Sequence, residues 1–197
     1  MSNYGKIEPN DILNRETYRL KRKDLRSLMV SRKKNRRVDI GPYITVYFEN
    51  RQTILHQINE MVFIENGGDE QIRDEIEAYK SLIPNGRELI VTLMVEIDNP
   101  IKRAEVLDNL GGIEQQIMFK LDGRNIKGEA ELDVDRTTAD GKASSVQFIH
   151  FNFNEDDIVL FKNKNADIRL EINHKNYRHS SGLRADVIEE LKADFIL

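Results

Sequence analysis

The chain begins with a helical pattern of apolar residues that changes into a strand pattern. Tyr18, Leu25 and Met29 recur at helical spacing without an interrupting Gly or Pro, which predicts a helix over residues 15–36. Residues 38–48 are rich in β-branched and aromatic side chains that alternate along the chain, which predicts the first strand. This part of the chain therefore contains both kinds of element.

Helix and strand patterns continue over the central segment. Asn14 and Asn50 are the expected N-caps of the first and second helices, because an asparagine side chain can accept hydrogen bonds from the free backbone N–H groups of a helix start. Pro84 is expected to stop the third helix. The predicted elements are a helix over 50–65, a helix over 69–83, a strand over 89–97 and a helix over 100–110.

Two Asp-Gly turns divide the segment 113–153 into three expected strands. The turns are Asp122-Gly123 and Asp140-Gly141, and Asp-Gly is a favoured two-residue hairpin connection. The expected strands cover 117–121, 125–134 and 143–153. Sequential antiparallel pairing would make them a three-stranded meander.

The C-terminal segment completes the prediction of the fold class. It contains a helical turn over 158–161, a strand over 166–172, a polar loop over 173–180 and a helix capped at or near Ser181. Strands in hairpins and helices in runs indicate an α+β fold, here a single domain over 1–197. A mainly antiparallel sheet would be packed by a long N-terminal helix, two central helices and a C-terminal helix. Residues 1–12 are expected to be a flexible segment.

Composition excludes several kinds of site. The chain of 197 residues has no cysteine, so it can form no disulfide, Cys-ligated zinc site, thiolate-bound iron–sulfur cluster or thiolate nucleophile. Its apolar runs are shorter than the ~20 residues that span a bilayer, so no membrane contact is expected. The polar N-terminus lacks the apolar core of a signal peptide, which together with the missing cysteines predicts a cytoplasmic location.

Charge is distributed unevenly along the chain. The formal net charge is −4, yet residues 15–37 carry eleven basic and two acidic side chains. On a helical wheel, five cations form one edge beside the apolar stripe. They are the anion-binding candidates Arg15, Arg19, Arg22, Arg26 and Lys33. This basic edge could bind nucleic-acid phosphates or be paired internally, and the poor aromatic interleaving and acidic total charge argue against nucleic acid.

An acidic row offers an internal partner for the basic edge. Glu129, Glu131, Asp133 and Asp135 alternate with apolar residues and so share one face of the predicted middle strand. Like charges along one face repel each other, which favours water, cations or a metal beside them. We expect this row to attract the basic edge, within one chain or between two chains.

Familiar metal and catalytic motifs are missing. The four histidines form no His-x-x-x-His pair, and no P-loop or nucleophile-elbow motif is present. His56 and Glu60 share a helical face, a spacing that suits either a metal or a plain hydrogen bond. No metal site is therefore predicted, and the cofactor is left open.

Several longer motifs resemble a family signature. The run Arg37 to Pro42 continues through Phe48-Glu49-Asn50-Arg51 and Gln57 to Met61, and it resembles a bacterial family known only as a domain of unknown function. Further matches are residues 77–79, 82–87, Arg136, 142–146, Phe148, His174 and Tyr177. The resemblance implies a genomic context beside rubrerythrin-like proteins and an iron–sulfur oxidoreductase, and hence peroxide or redox defence.

The polar residues of these motifs are the predicted site. They are Arg37, Glu49, Gln57, Glu60, Arg136 and His174. One interpretation is a non-catalytic accessory protein that works as an oligomer with a rubrerythrin-like or iron–sulfur partner. The other is an enzyme or binding protein that holds a small anionic ligand in an Arg/Glu cluster. Convergence of these side chains in a concave pocket would favour the second interpretation, and pairing among them would favour a structural role.

Overall fold

The computed structural model describes residues 3–131 and 142–196, in which the chain forms six α-helices and nine strands. The helices are α1 (Arg15–Lys34), α2 (Arg51–Glu65), α3 (Gly68–Tyr79), α4 (Pro100–Asp108), α5 (Glu155–Lys162) and α6 (Ala185–Lys192). The strands are β1 (Arg37–Ile40), β2 (Ile44–Glu49), β3 (Glu88–Val95), β4 (Ile117–Leu121), β5 (Arg124–Lys127), β6 (Glu129–Ala130), β7 (Val146–Asn152), β8 (Ile168–His174) and β9 (Tyr177–Gly182). The predicted α+β class is confirmed. Within the described ranges, no helix combines the length and apolar character needed to cross a bilayer.

Two antiparallel sheets share the main core. Their strand orders are β1-β2-β3-β7-β6 and β5-β4-β8-β9. Phe119 of β4 contacts Phe48 and Phe151 of the first sheet, with ring centroids 6.1 Å and 4.8 Å apart. Phe161 of α5 and Phe195 after α6 join the same aromatic cluster, 5.3 Å from each other. Edge-to-face aromatic contacts of this kind add to the stabilisation that burial of the rings supplies.

The other face of the first sheet is partly covered by α2 and α3. Ile54 and Ile58 of α2 pack against Leu82 and Ile90, and all four are buried. Helix α1 also packs on α2. The central helix α2 is therefore covered on two sides.

The N-terminal segment, expected to be flexible, makes specific contacts in its described part. Ile7 and Ile12 are buried in the same cluster as α2. Arg51 donates through Nε to the carbonyl of Lys6 at 3.0 Å and forms an ion pair with Asp11. These contacts connect the segment to the start of α2.

The two expected N-caps are confirmed. Asn14 Oδ1 accepts a hydrogen bond from the Thr17 N–H at 2.9 Å. Asn50 Oδ1 accepts from the N–H groups of Gln52 and Thr53, each at 3.0 Å. Each cap satisfies backbone donors that have no partner within the helix.

Helix α1 runs antiparallel to α2. Arg22, early in α1, contacts Glu60 late in α2, whereas Arg32, late in α1, hydrogen-bonds to Gln52 early in α2. Tyr18 is the only fully buried residue of this 20-residue helix. Most of α1 is thus exposed to solvent on its outer side.

The strand predicted over 38–48 is a hairpin of β1 and β2. The chain turns at Gly41, whose φ of +67° favours a residue without a Cβ. Tyr177 Oη donates to the Ile40 carbonyl at 2.6 Å and accepts from the Tyr43 N–H at 3.1 Å. A side chain of the second sheet therefore stabilises the turn between β1 and β2.

The prediction of a three-stranded meander over 113–153 was wrong in one respect. β4 pairs with β5 and β6 pairs with β7, but these two pairs belong to different sheets. Gly128 lies where the strand bends between the sheets, and a Cβ there would be 2.6 Å from Ile149 and 2.9 Å from Ile117. Glycine permits this close approach. The Asp140-Gly141 turn lies outside the described residues.

The predicted polar loop over 173–180 is also corrected, because residues 173–174 end strand β8 and residues 177–180 belong to strand β9. Ser181 pairs in register with Leu170 of β8 rather than capping a helix, and α6 begins at Ala185. β9 is the outermost strand of its sheet, and only Tyr177 is fully buried in it. An outer strand exposed over most of its length needs no apolar alternation, so its sequence resembles a loop.

Candidate ligand-binding site

The outer face of the first sheet presents polar side chains beside α2. Tyr47 of β2 pairs in register with Thr92 of β3, and Glu49 follows on the same face at the end of β2. Thr53 and Gln57 come from the first two turns of α2, which begins directly after β2. The strand-to-helix connection therefore brings hydroxyl, amide and carboxylate groups together.

These side chains line a cavity of about 290 Å³. Its polar lining consists of Lys33, Tyr47, Glu49, Thr53, Gln57, Tyr79 and Thr92. The apolar wall includes Leu82, Met94 and Phe148. Small-molecule sites have this combination of an apolar wall and a few polar groups, with volumes of ~300–1,000 Å³. The cavity lies at the small end of that range.

Glu49 is the buried acid of the cavity. Glu49 is only 8% exposed, and its Oε1 atom accepts a hydrogen bond from the Thr92 hydroxyl at 2.8 Å. Oε2 accepts from the Thr53 hydroxyl at 2.5 Å. Among the described residues, no cationic side chain lies within ion-pair distance of this carboxylate. The two hydroxyl groups fix its position without neutralising its charge.

Tyrosine hydroxyl groups add hydrogen-bonding capacity. Burial raises the pKa of the Tyr79 phenol, while a hydrogen bond with Gln57 opposes that rise and the charge of Glu49 adds to it. Burial also raises the pKa of Tyr47, whose hydroxyl donates to Glu96 at 3.1 Å. Both phenols are therefore neutral groups near pH 7.

The backbone that carries Glu49 is held by a buried arginine. Arg36 donates through Nε to the Phe48 carbonyl at 3.0 Å and through Nη2 to the Glu49 carbonyl at 3.2 Å. Its charge is paired with Asp194. Arg36 thus acts on the cavity indirectly, by positioning the end of β2.

The fold and cavity occur in a chain that matches a family model almost throughout. The model is described as "Protein of unknown function (DUF3501)" and matches residues 6–195. The chain belongs to the DUF3501 family. The resemblance drawn from the motifs is thereby confirmed.

One solved structure extends this comparison to the fold of DUF3501. The chain is similar to the crystal structure of a novel protein of unknown function from Burkholderia pseudomallei K96243, with 29% sequence identity and a TM-score of 0.90. The match covers 98% of this chain and 100% of that chain. No curated protein matches the chain.

Part of the predicted DUF3501 site is assembled at the cavity. The structure brings Glu49 and Gln57 together there. Arg37 lies on β1, the outermost strand of the first sheet, and forms an ion pair with Asp39 at 3.1 Å. Arg136 lies outside the described residues.

The other two predicted site residues lie elsewhere. Glu60 points to α1, where hydrogen bonds from Arg22 and Tyr18 lower its pKa to about 2 against the opposing effect of burial. His174 belongs to β8 in the second sheet, and its Nε2 lies 3.3 Å from the Gly111 carbonyl. Glu60 and His174 therefore have structural contacts outside the cavity.

Most of the basic edge on α1 contacts groups of the same chain. Arg15 donates to the Phe63 carbonyl at 2.7 Å, and the guanidinium groups of Arg15 and Arg22 each lie 4.9 Å from the centroid of the Phe63 ring. Arg19 forms an exposed ion pair with Glu16 at 2.8 Å. Internal pairing thus accounts for three of the five predicted anion-binding residues.

The remaining two cations of the edge have different surroundings. Lys33 lines the cavity described above. Arg26 borders a shallow depression on the surface of α1, together with Arg19, Arg22 and Lys23. The basic edge therefore reaches the cavity only at its C-terminal end.

Only part of the acidic row lies within the described residues. Glu129 accepts a hydrogen bond from Asn152 at 3.2 Å, and Asp133 and Asp135 lie outside the described residues. The carboxylate that the α1 arginines bind across helices is Glu60 of α2. The expected attraction between the row and the basic edge stays a prediction.

The histidines take part in ordinary polar contacts. His56 is half-buried, and that burial lowers its pKa while Glu60 opposes the change. His150 Nδ1 lies 3.0 Å from Glu88 Oε2 on the first sheet. Across residues 3–131 and 142–196, no three His, Asp or Glu side chains are grouped as a metal ion requires.

Sequence reasoning missed several residues of the site. Thr92 had a weak signal, because it is the one polar residue in the apolar run from Leu89 to Val95. Tyr79 belongs to the family match over residues 77–79 but was not among the predicted site residues. Arg36 was hidden within the basic segment, where nothing distinguishes a buried arginine from its exposed neighbours.

Proposed function

We propose that this protein binds a small polar ligand in the cavity above the first sheet, with Glu49 as the main anchor. The observation that supports this proposal most directly is the state of the Glu49 carboxylate. It is buried, two hydroxyl groups orient it, and no described cation neutralises it.

The argument rests on hydrogen-bonding capacity and charge. An ionised carboxylate offers about four acceptor positions. Thr53 and Thr92 occupy one position on each oxygen of Glu49. Burial of a charge costs free energy unless the charge is paired and hydrogen-bonded. A ligand with an ammonium group would supply both the missing donors and the missing positive charge.

The remaining walls of the cavity suit a small ligand with an apolar portion. Leu82, Met94 and Phe148 offer apolar surface, while Gln57 and Tyr79 offer hydrogen-bonding groups. The expected Arg/Glu cluster for an anionic ligand has less support, since Arg37 is engaged by Asp39.

The accessory interpretation stays a prediction of the sequence. A rubrerythrin-like or iron–sulfur partner, a homo-oligomer and a cytoplasmic location each rest on the sequence alone. Co-purification of such a partner from native cells would support that interpretation. The cavity supports ligand binding independently of it.

The direct test is ligand binding by the purified full chain. Isothermal titration with butylamine, a simple probe for the ammonium group, should give saturable binding to the native protein. Glu49→Gln, which keeps the shape and removes the charge, should weaken that binding at least about tenfold, because hydrogen bonds to charged groups contribute ~1.5–3 kcal/mol.

A matched control distinguishes the effect of the cavity carboxylate on butylamine binding from the effect of a surface carboxylate. Glu105→Gln makes the same change at an exposed carboxylate of α4 that does not line the cavity. It should leave butylamine binding unchanged. Equal losses in both variants, or no binding by the native protein, would contradict the proposal.

A further inference from the structure

The cavity is lined by one side chain of each charge. Lys33, in the last turn of α1, lines the same cavity as Glu49. Their charged groups are farther apart than an ion pair allows. Among the described residues, Lys33 forms no other ion pair either. Two opposite charges therefore border one cavity without neutralising each other.

The two charges differ in their surroundings. Glu49 is 8% exposed and held by Thr53 and Thr92. Lys33 is half-buried and belongs to the basic edge, with Arg32 next to it bound to Gln52 of α2. The cavity thus has an anionic position at the end of β2 and a cationic position on α1.

We infer that the ligand is a zwitterion, with its ammonium group at Glu49 and its carboxylate at Lys33. This inference rests on the proposed function and specifies the ligand class. A diamine would place a second positive charge near Lys33, and a dicarboxylate would place a negative charge near Glu49. Only a ligand with one charge of each sign matches both positions, since like charges close to each other repel.

Because Glu49 and Lys33 are separated, the distance between the two charges of a ligand should affect its affinity. ω-Amino acids of increasing length test this dependence. In the series glycine, 3-aminopropanoate, 4-aminobutanoate, 5-aminopentanoate and 6-aminohexanoate, the charges move apart by one methylene at a time. One member whose length spans from Glu49 to Lys33 should bind more tightly than the others. Butylamine and butanoate each present one of the two charges alone.

The experiment is isothermal titration of the full chain with this series and both single-charge probes. The best ω-amino acid should bind roughly fivefold more tightly than butylamine, the factor that ~1 kcal/mol from a partly exposed ion pair gives. Lys33→Gln should abolish this advantage, and butylamine, which has no carboxylate, should bind to this variant at least as tightly as to the native protein. Lys34→Gln, at an exposed neighbour, should preserve the advantage.

The outcomes separate this inference from the proposed function. If butylamine binds as tightly as every ω-amino acid, or Lys33→Gln and Lys34→Gln act alike, the zwitterion is excluded while Glu49-dependent binding stands. If neither class binds, or Glu49→Gln changes nothing, the proposed function itself is excluded. Tighter binding of butanoate than of butylamine would overturn both.

Discussion

Arg36 and Asp194 form a fully buried ion pair between residues 158 positions apart in the chain. Arg36 Nη2 lies 2.5 Å from Asp194 Oδ2, and Nη1 lies 3.2 Å from Oδ1. Burial raises the pKa of the Asp194 carboxyl, and the charge of Arg36 opposes that rise. Because Arg36 also holds two carbonyls at the end of β2, the pair connects the C-terminus to the strand that carries Glu49.

Removal of one partner of this pair should destabilise the fold strongly. Arg36→Met leaves the Asp194 carboxylate buried without its counter-charge, which we expect to lower the free energy of unfolding by ~3–5 kcal/mol. Urea denaturation measures this loss. Arg37→Gln breaks an exposed pair next to it in sequence and should cost less than ~1 kcal/mol. Similar losses in the free energy of unfolding for both variants would show that the buried ion pair of Arg36 contributes no more to stability than the exposed pair of Arg37.

Glu60 should make stability depend on acid pH. Its pKa is lowered from 4.5 to about 2 in the folded chain, so its contribution is complete above the unfolded value and disappears as the pH falls toward 2. We expect a loss of ~1–3 kcal/mol over this window, measured by urea denaturation at each pH.

A substitution isolates this contribution. Glu60→Gln should reduce stability at pH 6 and flatten the dependence between pH 5 and pH 2. Glu105→Gln, at an exposed position of α4, should preserve the native pH profile. An unchanged profile for Glu60→Gln would contradict the assignment.

Gly128→Ala should destabilise the bend between the two sheets. The new Cβ would lie 2.6 Å from Ile149, 2.9 Å from the Ile117 side chain and 3.1 Å from the Ile117 carbonyl oxygen, and buried overpacking costs ~1–3 kcal/mol. Gly182→Ala is the matched control, since no heavy atom beyond its chain neighbours lies within 4 Å of the new Cβ. Thermal unfolding should show a lower midpoint for Gly128→Ala only.

Thr92→Val should reveal the role of the hydroxyl groups around Glu49. The substitution keeps the shape of the side chain and removes the donor 2.8 Å from Oε1, so the buried carboxylate loses ~1–3 kcal/mol of stabilisation. Chemical denaturation and butylamine titration should both show a loss. Thr45→Val removes a hydroxyl that donates to Asp39 outside the cavity and should leave the titration unchanged. Equal binding losses would show that neither hydroxyl acts through Glu49.

Local sequence signals predicted most individual elements. The spacing of apolar residues predicted α1 and α2, and Asn14 and Asn50 were correctly assigned as caps, because helix periodicity and capping depend on residues only a few positions apart. The basic edge was also visible in sequence. β9 was missed because an exposed outer strand is stabilised by pairing with β8 rather than by an apolar pattern of its own.

Long-range pairing decided how those elements combine. Gly128 belongs to a continuous strand pattern in sequence, but in the structure it lies close to Ile117 and Ile149, where the strand passes from one sheet to the other. Periodicity reports which face of a strand a residue occupies and not which strand lies beside it, so the single meander could not be distinguished from two sheets.

The sequence by itself determined the fold class, the family, the absence of thiol chemistry and two of the cavity residues, Glu49 and Gln57. The tertiary structure decided that Lys33, Tyr79 and Thr92 join them, and that Arg37 and Glu60 do not. Residues 33, 49, 79 and 92 are distant in the chain and meet only because β2, β3, α1 and the end of α3 pack together. The chemistry of a side chain is local information, whereas its partners depend on the packing of the whole chain.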